Sequence, residues 1–447
     1  MQEKREFYID GQWVAPATAR DFSVIDPSTE EECAVISLGD QADTDAAVAA
    51  ARAAFEAWSR TSKAERRALI VKLMEVYKSR AEEMAQAMSM EMGAPIELSR
   101  AQQVGAGSWH IEGFLEAFDA FEFETDFTAT EKTLREPIGV CALITPWNWP
   151  MNQIVLKTVA AMAAGCTMIL KPSEIAPLSG LLFAEFVHEA GFPKGVFNLL
   201  NGDGTGVGSQ LSAHPDVDMV SFTGSTRAGI AISKAAADTL KRVSLELGGK
   251  GANIIFEDAH PKAAKAGAIR CFRNSGQSCN APTRMLVHRS RYDAAVEMAA
   301  ETAVATHVGP ASEAGKHIGP VVSKAQFDKI QALIETGMSE ARLVAGGLGR
   351  PDGLNRGYYV KPTVFADVTN DMTIAREEIF GPVLSIIPFD TEDEAIAIAN
   401  DTPYGLTNYV QTEDDEKRRR VARQLRSGMV ETNGQGFAKG SPFGGYK

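Results

Sequence analysis

Long apolar runs are missing from this 447-residue sequence. Its most apolar stretches are interrupted by Gly, Pro or polar residues well short of the roughly 20 residues that a membrane-spanning helix needs. The opening MQEKREFYIDGQWV is charged and then strand-like, without the apolar centre of a signal peptide. We therefore expect a cytoplasmic protein with no membrane partner.

Basic residues are also fewer than acidic ones. Lys and Arg number 45 against 58 Asp and Glu, which gives a formal net charge of −13. A surface of this sign repels polyanions, so nucleic acid is not an expected partner. The length predicts about three domain-sized units, and the 45% share of hydrophobic residues is enough for a sizeable core.

The cysteines lack the pairing that metal sites and disulfide frameworks require. There are five, an odd number, widely scattered, with no CxxC pair and no His at metal-ligand spacing. No metal site is expected. Four of them are interpreted as small packing residues: Cys33, Cys141, Cys166 and Cys271. Only Cys279 lies in a Gly-rich polar loop.

Alternating segments begin at Gly139 and indicate a parallel sheet covered on both faces. The first set predicts strands at 140–145, 167–170, 195–200, 217–222 and 242–247 and helices at 152–164, 177–190 and 226–240. The second set predicts strands at 252–256, 284–288, 385–389 and 407–410 and a helix at 325–336. The predicted fold is α/β, with a doubly wound Rossmann-like domain and a second α/β domain.

The domain boundaries are predicted from these two sets. The first domain comprises 1–120 and 139–247, and the second comprises 248–447. Residues 121–138 alternate Thr, Phe and charged residues without a helical period, which predicts a small β-hairpin. Its exposed edge would need a partner strand.

A candidate nucleophile lies in the loop Asn-Ser-Gly-Gln-Ser-Cys that ends at Cys279. Small neighbours let a carbonyl carbon approach the sulfur and leave the Cys279 N–H free to face a developing oxyanion. An ordinary loop cysteine explains this segment equally well.

A thiol nucleophile needs a base, and the seven histidines show no flanking pattern that marks one. Glu246 follows an apolar strand and precedes Gly248 and Gly249, which places its carboxylate at a carboxyl end of the sheet, where α/β sites collect. Partial burial there would raise its pKa towards that of a general base. An acid that ends an exposed strand is the alternative interpretation.

Two more strand ends carry polar groups. The rigid loop 145–150 offers the amide of Asn148 as a hydrogen-bond donor to an alkoxide. Lys171 and Glu174 follow the next strand and suit the hydroxyls of a ribose. Glycines at 202, 204, 206 and 208, or the mouth of the helix that starts near Thr226, are candidates for holding phosphate.

Taken together, the motifs PWNWP, KPSE, FTGST, ELGGK, GQSC, EEIFGPV and PFGGYK resemble the NAD(P)-dependent aldehyde dehydrogenase superfamily in order and separation, over essentially the whole chain. The resemblance implies Cys279 as nucleophile, Glu246 as base, Asn148 as oxyanion donor and Lys157 as a proton-relay or structural lysine. It makes the first domain the NAD-binding domain and the second the catalytic domain.

The resemblance also implies the cofactor contacts. Lys171 and Glu174 would contact the adenosine ribose, Gly224 and Ser225 the pyrophosphate, and Glu378 and Phe380 the nicotinamide end. The remaining expected cofactor residues are Thr145, Pro146, Trp147, Ser173, Gly204, Phe222, Thr223, Leu247 and Gly248. An acid beside the ribose 2′ position repels a 2′-phosphate, so NAD is expected rather than NADP.

The reaction implied is oxidation of an aldehyde to the free carboxylic acid through a thiohemiacetal and a thioester on Cys279. Relatives that pass the acyl group to coenzyme A lack the acid at position 246, so Glu246 favours hydrolysis. A non-catalytic relative is a second alternative, and intact Cys279, Glu246 and Asn148 oppose it.

The aldehyde pocket is expected at positions that line it in relatives, namely Trp149, Asn152, Gln153, Leu156, Asn280, Phe437 and Phe443. For Phe437 and Phe443, core packing is the alternative. The resemblance further implies a homodimer or homotetramer built through the hairpin at 121–138. The family's pattern continues past Lys447 with a strand that pairs with a neighbouring subunit, and that partner strand is absent from this chain.

Overall fold

Nineteen strands and fifteen helices follow one another in the computed structural model, which describes residues 1–447. They form two units. The first comprises Met1–Asp26, Glu31–Met92 and Ile96–Leu245, and the second comprises Pro27–Glu30, Gly93–Pro95 and Glu246–Lys447. Three short segments of the predicted first domain, 27–30, 93–95 and 246–247, thus group with the second unit.

The first unit contains twelve strands and nine helices. Its strands are β1 (Gln2–Lys4), β2 (Phe7–Ile9), β3 (Gln12–Val14), β4 (Asp21–Asp26), β5 (Glu31–Ser37), β6 (Glu124–Asp126), β7 (Lys132–Leu134), β8 (Val140–Ile144), β9 (Thr167–Lys171), β10 (Phe197–Leu199), β11 (Met219–Thr223) and β12 (Arg242–Glu246). Its helices are α1 (Gln41–Ser59), α2 (Lys63–Ser79), α3 (Ala81–Met92), α4 (Ile96–Leu98), α5 (Val104–Ala120), α6 (Pro150–Ala164), α7 (Leu178–Glu189), α8 (Ser209–Ala213) and α9 (Thr226–Ala237).

The main sheet of this unit has seven strands in the order β12-β11-β8-β9-β10-β2-β3. The pairs β11–β8, β8–β9 and β9–β10 are parallel, and β2 joins β10 antiparallel. From β8 the chain adds β9 and β10 on one side and then returns to add β11 on the other. The strand order therefore reverses between β8 and β11, and ligands of open α/β sheets bind outside the carboxyl ends of strands at such a point.

Helix termini in this unit follow the capping chemistry of the sequence. Ser62 and Glu65 form a capping box at the start of α2, each side chain accepting the other's backbone N–H. Gly191 follows α7 with φ +81°, a conformation in which a side chain would be strained.

A buried carboxylate caps the other end of α7. Glu91, on α3, is fully buried and accepts the backbone N–H groups of Leu178 and Ser179. Burial raises the pKa of Glu91 to about 7. The start of α7 is therefore fixed by a side chain that lies 87 residues earlier in the chain.

The hairpin predicted for 121–138 is present as the antiparallel pair β6–β7, a sheet of two strands only. Its side chains are mostly exposed, including Phe127 at 77% and Leu134 at 60%. Two such strands are marginal alone, because a lone hairpin buries little apolar surface.

The second unit contains one seven-stranded sheet in the order β15-β16-β17-β14-β13-β18-β19, in which only β15 is antiparallel to its neighbour. Its strands are β13 (Ala252–Ile255), β14 (Arg284–His288), β15 (Arg342–Ala345), β16 (Thr363–Ala366), β17 (Val383–Phe389), β18 (Thr407–Gln411) and β19 (Met429–Thr432). Its helices are α10 (Ala263–Phe272), α11 (Tyr292–Ala305), α12 (Lys324–Glu340), α13 (Thr373–Arg376), α14 (Glu392–Asn400) and α15 (Asp415–Gln424).

The predicted α/β fold is confirmed. β14 has the predicted bounds, and the other predicted strands and helices are present with ends that shift by a few residues. All five cysteines are free thiols, and Cys141, Cys166 and Cys271 are buried. None of the fifteen helices combines the length and the apolar character needed to span a bilayer.

Candidate active site

The Cys279 loop begins with an unusual backbone. Asn274, Ser275 and Gly276 follow α10 with φ values of 53°, 57° and 75°, three left-handed residues in succession. Side chains disfavour this region, so strain is stored next to the candidate nucleophile. Gly276 has no room for a side chain either, since a Cβ there would lie 2.0 Å from the carbonyl oxygen of Gly381.

Hydrogen bonds hold this strained loop in place. The Ser275 hydroxyl donates to the carbonyl of Gly319 at 2.7 Å, and the backbone N–H of Val322 donates to the Gln277 side chain at 2.9 Å. The Gln277 amide donates in turn to the carbonyl of Asn274 at 3.2 Å. Because buried bonds fix both sides of the turn, the residue that follows is presented in one position.

Cys279 is partly exposed, whereas three of the other four cysteines are buried. Burial of its sulfur raises the pKa of the thiol to about 12, and the negative charges of Glu378 and Glu246 contribute in the same direction. At neutral pH the resting group is therefore the thiol, and a base must remove its proton before it can attack.

The Gly pair after Glu246 lets two carboxylates approach this thiol. β12 ends at Glu246, as the sequence predicts for a strand-end acid. A Cβ on Gly249 would lie 2.2 Å from the Cys279 carbonyl oxygen, and one on Gly248 would lie 2.3 Å from a Glu378 carboxylate oxygen. At Gly249 the contact is with backbone, so only glycine permits it, whereas a side chain at position 248 would have to displace the Glu378 carboxylate.

Glu378 is held by the same turn. Its Oε1 accepts the backbone N–H of Gly249 at 2.8 Å, and its own carbonyl accepts a hydrogen bond from the Lys329 ammonium at 2.8 Å. Burial raises the pKa of the Glu378 carboxyl. Phe380, two residues on, has φ +58°, and its carbonyl accepts from the side chain of Gln326. Leu247 lies partly exposed beside this turn.

The second unit thus gathers Cys279, Glu246, Gly248 and Glu378 at one place. Sequence reasoning assigned Glu378 to the cofactor alone and missed that its charge acts on the thiol. The carboxylate of Glu246 also faces the PFGGYK segment, where a Cβ on Gly444 would lie 2.9 Å from its Oε1.

Lys250 is the last residue of the ELGGK motif, and its ammonium group loses its proton more readily than that of an ordinary lysine. Its side chain is buried and its Nζ has no hydrogen-bond partner. Burial, with the nearby charge of Arg284, lowers the pKa of Lys250 to about 7.

Asn280 is anchored from behind by residues that the sequence gave no reason to select. The hydroxyl of Tyr409 donates to the Asn280 carbonyl, and Arg270 lies over the Tyr409 ring at 4.6 Å. Arg270 in turn pairs with the buried Glu431 through two hydrogen bonds. Their separation in sequence, from 270 to 431, explains why no local pattern marks them.

The two candidate pocket phenylalanines are not core residues. Phe437 and Phe443 remain 36% and 38% exposed and contact each other edge to face at 6.3 Å between ring centroids. The core-packing interpretation of these residues is therefore wrong. Their contribution to an aldehyde pocket stays a prediction.

In the first unit, the carboxyl ends of β8 and β11 present two unsatisfied hydroxyls. Thr145 follows Ile144, and Thr223 follows its paired residue Phe222. Both threonines are buried, and their side-chain oxygens have no hydrogen-bond partner. A buried hydroxyl without a partner is costly, so such groups indicate a ligand.

The segments that follow Thr145 and Thr223 suit a phosphate anion or the ring of a bound ligand. Pro146 and Trp147 are partly exposed after Thr145. Gly224 permits close packing by the Phe222 ring, and Ser225 caps α9 by accepting the N–H of Ala228 at 3.3 Å. This helix of twelve residues starts at the predicted point and directs its first N–H groups to the strand ends.

The KPSE segment forms a closed polar turn. The buried Lys171 ammonium donates to the carbonyls of Pro172 and Gly202 at 2.8 and 2.5 Å and lies 3.4 Å from Glu174. Burial lowers the pKa of Lys171. Ser173 and Glu174 are partly exposed and remain accessible to a ribose.

In the glycine run after β10, two of the four N–H groups of the candidate phosphate site are bonded to Asp203. Asp203 accepts the backbone N–H of Gly206 with its carboxylate and that of Gly208 with its carbonyl, so these two donors are used within the turn. Gly204 is exposed with open space at its Cβ position.

The remaining candidates lie on or before α6. Asn148 is buried, and its carbonyl accepts from Gln103 at 3.2 Å. Lys157 donates to the Ser221 hydroxyl on β11 at 3.0 Å, a contact with a neutral side chain.

The α6 pocket candidates lie one turn apart. Trp149 precedes the helix, and Asn152 and Leu156 are partly exposed on it, whereas Gln153 is buried. His110 on α5, which the sequence analysis passed over, makes a 2.9 Å hydrogen bond with Asn152.

Comparisons with known proteins agree on one family. The model described as "Aldehyde dehydrogenase family" matches residues 13–447. A 3-succinoylsemialdehyde-pyridine dehydrogenase from Pseudomonas sp is 52% identical over 100% of this chain and 94% of its own length. An aldehyde dehydrogenase structure from Bartonella henselae superimposes with a TM-score of 0.99 at 59% identity, covering 100% of this chain and 95% of that one.

A third similar protein was solved with ligands. It is a mutant of aldehyde dehydrogenase C from Pseudomonas syringae in complex with NAD+ and octanal. It superimposes with a TM-score of 0.98 at 51% identity, covering 99% of this chain and 92% of that chain.

Proposed function

The chain belongs to the aldehyde dehydrogenase family, and we propose that it oxidises an aldehyde to the carboxylic acid with NAD through a thioester on Cys279. One observation carries the assignment of the nucleophile. Cys279 follows a strained, immobilised turn and lies near two carboxylates, Glu378 and Glu246. Strain at a fixed turn is typical of active sites.

The residues of the first unit suit NAD. Thr145 and Thr223 leave two buried hydroxyls unsatisfied where the strand order reverses, and the start of α9 offers N–H groups for a pyrophosphate. Glu174 beside a ribose favours NAD over NADP. When bound, NAD supplies the acceptor for the hydride that leaves the aldehyde carbon.

The acylation half-reaction starts from a protonated thiol. Glu246 removes the proton of Cys279, and the sulfur then forms a bond to the aldehyde carbon while the carbonyl oxygen takes the negative charge. The backbone N–H of Cys279 and the amide of Asn148 are assigned to that oxygen, where donors stabilise the charge as it develops. Lys157, bonded to Ser221, is assigned a structural part.

The deacylation half-reaction needs the same carboxylate. Glu246 first releases to solvent the proton that it took from Cys279, and it then takes a proton from water. The resulting hydroxide adds to the thioester carbon, and the carbon–sulfur bond breaks to release the acid and the Cys279 sulfur, which takes a proton back from Glu246. A thioester product in the presence of coenzyme A would indicate acyl transfer instead of hydrolysis.

The substrate, assembly and location are further proposals. The similar proteins act on or bind unlike aldehydes, a succinoyl semialdehyde of pyridine and octanal, so a medium-length aldehyde with an apolar chain segment is proposed. A homo-oligomer formed through β6–β7 accords with the exposed Phe127 and Leu134. Five free thiols accord with a reducing cytoplasm.

The test follows NADH absorbance over a panel of aldehydes, with NAD and NADP in parallel. Cys279→Ala should lower kcat at least about a thousandfold, since loss of a nucleophile removes the covalent route. Cys33→Ala, at a thiol distant in sequence and assigned no role, should retain activity. Oxidation by Cys279→Ala at the wild-type rate would refute the nucleophile assignment.

A further inference from the structure

A chain of neutral hydrogen bonds links α5 and α6 at the pocket candidates. The Gln153 amide lies 3.2 Å from the Asn152 side-chain oxygen, and the Asn152 nitrogen lies 2.9 Å from Nε2 of His110. His110 also packs against Trp109, with the ring centroids 4.9 Å apart. None of these residues is part of the proposed nucleophile, base or oxyanion machinery.

The direction of this chain is determined by its first member. The Gln153 nitrogen can only donate, so it occupies the Asn152 oxygen and leaves the Asn152 nitrogen as the donor to His110. Nε2 of His110 is therefore an acceptor, and the ring proton is on Nδ1. Burial lowers the pKa of His110 to about 4, so the ring is neutral at pH 7.

Two hydrogen-bond donors of this chain have no partner within the protein. Nδ1–H of His110 and the second N–H of Asn152 make no other hydrogen bond within the chain, and both residues are partly exposed. The pKa of His110 is lowered by burial alone, without a contribution from any charged neighbour. The pair thus offers two neutral donors without a full positive charge.

We propose that His110 and Asn152 are specificity-determining residues that select aldehydes carrying a neutral hydrogen-bond acceptor, such as a ketone oxygen or a ring nitrogen, along the chain. This inference rests on the proposed function, in which Asn152 lines the aldehyde pocket. A plain hydrocarbon chain would bury the two donors unpaired, and a terminal carboxylate would be desolvated there without a cation.

The experiment compares nonanal with the four isomeric oxononanals that carry a ketone at carbon 4, 5, 6 or 7, in each of which one CH2 group of nonanal is replaced by C=O. Wild-type kcat/KM should favour at least one isomer about tenfold, in keeping with one added hydrogen bond. The ketone position that gains most reports the distance from the aldehyde to the donor pair.

Variants assign the preference to these residues. His110→Leu and Asn152→Leu should each reduce the preference to about twofold or less, through loss of kcat/KM for the ketone and not for nonanal. His110→Gln, which keeps an acceptor for Asn152 and a donor of its own, should retain part of it. His260→Gln, at an exposed histidine of the second unit, serves as the matched control.

Two results would count against different claims. Equal kcat/KM for nonanal and all four ketones in an active enzyme, or a preference that survives both leucine variants, would overturn the selection alone. Absence of NADH formation with every aldehyde would overturn the proposed function, and the selection with it.

Discussion

At the scale of single residues, Cys279 rests as a protonated thiol, which is the less reactive form. Burial and two nearby carboxylates, Glu378 and Glu246, keep its proton in place at neutral pH. A thiolate would be the better nucleophile but would also react with oxidants and electrophiles while no substrate is bound. The proposed base therefore does more than assist the attack, because it determines when the sulfur becomes reactive.

Alkylation of the enzyme without cofactor tests this state of Cys279. The rate of carboxyamidomethylation at Cys279, followed by mass spectrometry, should rise about tenfold per pH unit between pH 7 and 9, since the thiolate fraction does so far below the pKa. Glu378→Gln removes one repelling charge and should raise the rate about three- to tenfold at fixed pH.

The neighbouring carboxylate provides the control for that experiment. Glu377→Gln changes an exposed acid next in sequence and should leave the rate unchanged. A rate that levels off near pH 7.5 in the wild type would show that the thiol is already ionised, and the protonated resting form would be disproved.

At the scale of elements, the sequence was most informative where the pattern is local. The alternation of apolar strands and amphipathic helices predicted the α/β fold and most element positions, because strands such as β8, β9, β13 and β16 are buried on both faces. At the turn 202–208, the sequence did not reveal that Asp203 accepts the N–H groups of Gly206 and Gly208, through its carboxylate and its carbonyl respectively. His110 was missed because only the packing of α5 on α6 gives it a partner.

Glu91, on α3, caps the start of α7, and its titration makes the free energy of unfolding depend on pH. Burial raises the pKa of Glu91 from 4.5 to about 7, so between these values the folded state binds more protons than the unfolded state. The free energy of unfolding therefore falls as pH rises from 4.5 to 7, by about 3 kcal/mol for this group. Urea unfolding should show the wild type losing this amount relative to Glu91→Gln across that range.

The opposite trend would contradict the burial of Glu91. If the wild type gained stability relative to Glu91→Gln on going from pH 4.5 to 7, the carboxylate would be better solvated in the folded state than its position indicates. Glu97→Gln, at a carboxyl that lies exposed on α4, serves as the comparison.

At the scale of the whole molecule, the hairpin is the feature that a 48.0 kDa monomer leaves unexplained. β6 and β7 pair only with each other, and Phe127 and Leu134 project into solvent. Exposed apolar groups on a free strand edge favour association with another chain. The sequence predicted this hairpin but did not show how much of its side-chain surface is exposed to solvent.

Light scattering on the purified chain tests the assembly. We expect a mass of at least two chains for the wild type and a shift towards 48.0 kDa for the double variant Phe127→Ser with Leu134→Ser. The double variant Ile230→Ser with Leu240→Ser, at exposed apolar residues outside the hairpin, should keep the wild-type mass. A monomeric wild type would disprove the oligomer.

The absence of side-chain room at Gly249 and Gly276 limits how this enzyme can be re-engineered. Saturation libraries aimed at the immediate surroundings of the sulfur will be dominated by inactive clones there, because any added carbon meets backbone. Libraries that leave these two glycines unchanged would retain a larger share of folded, active variants.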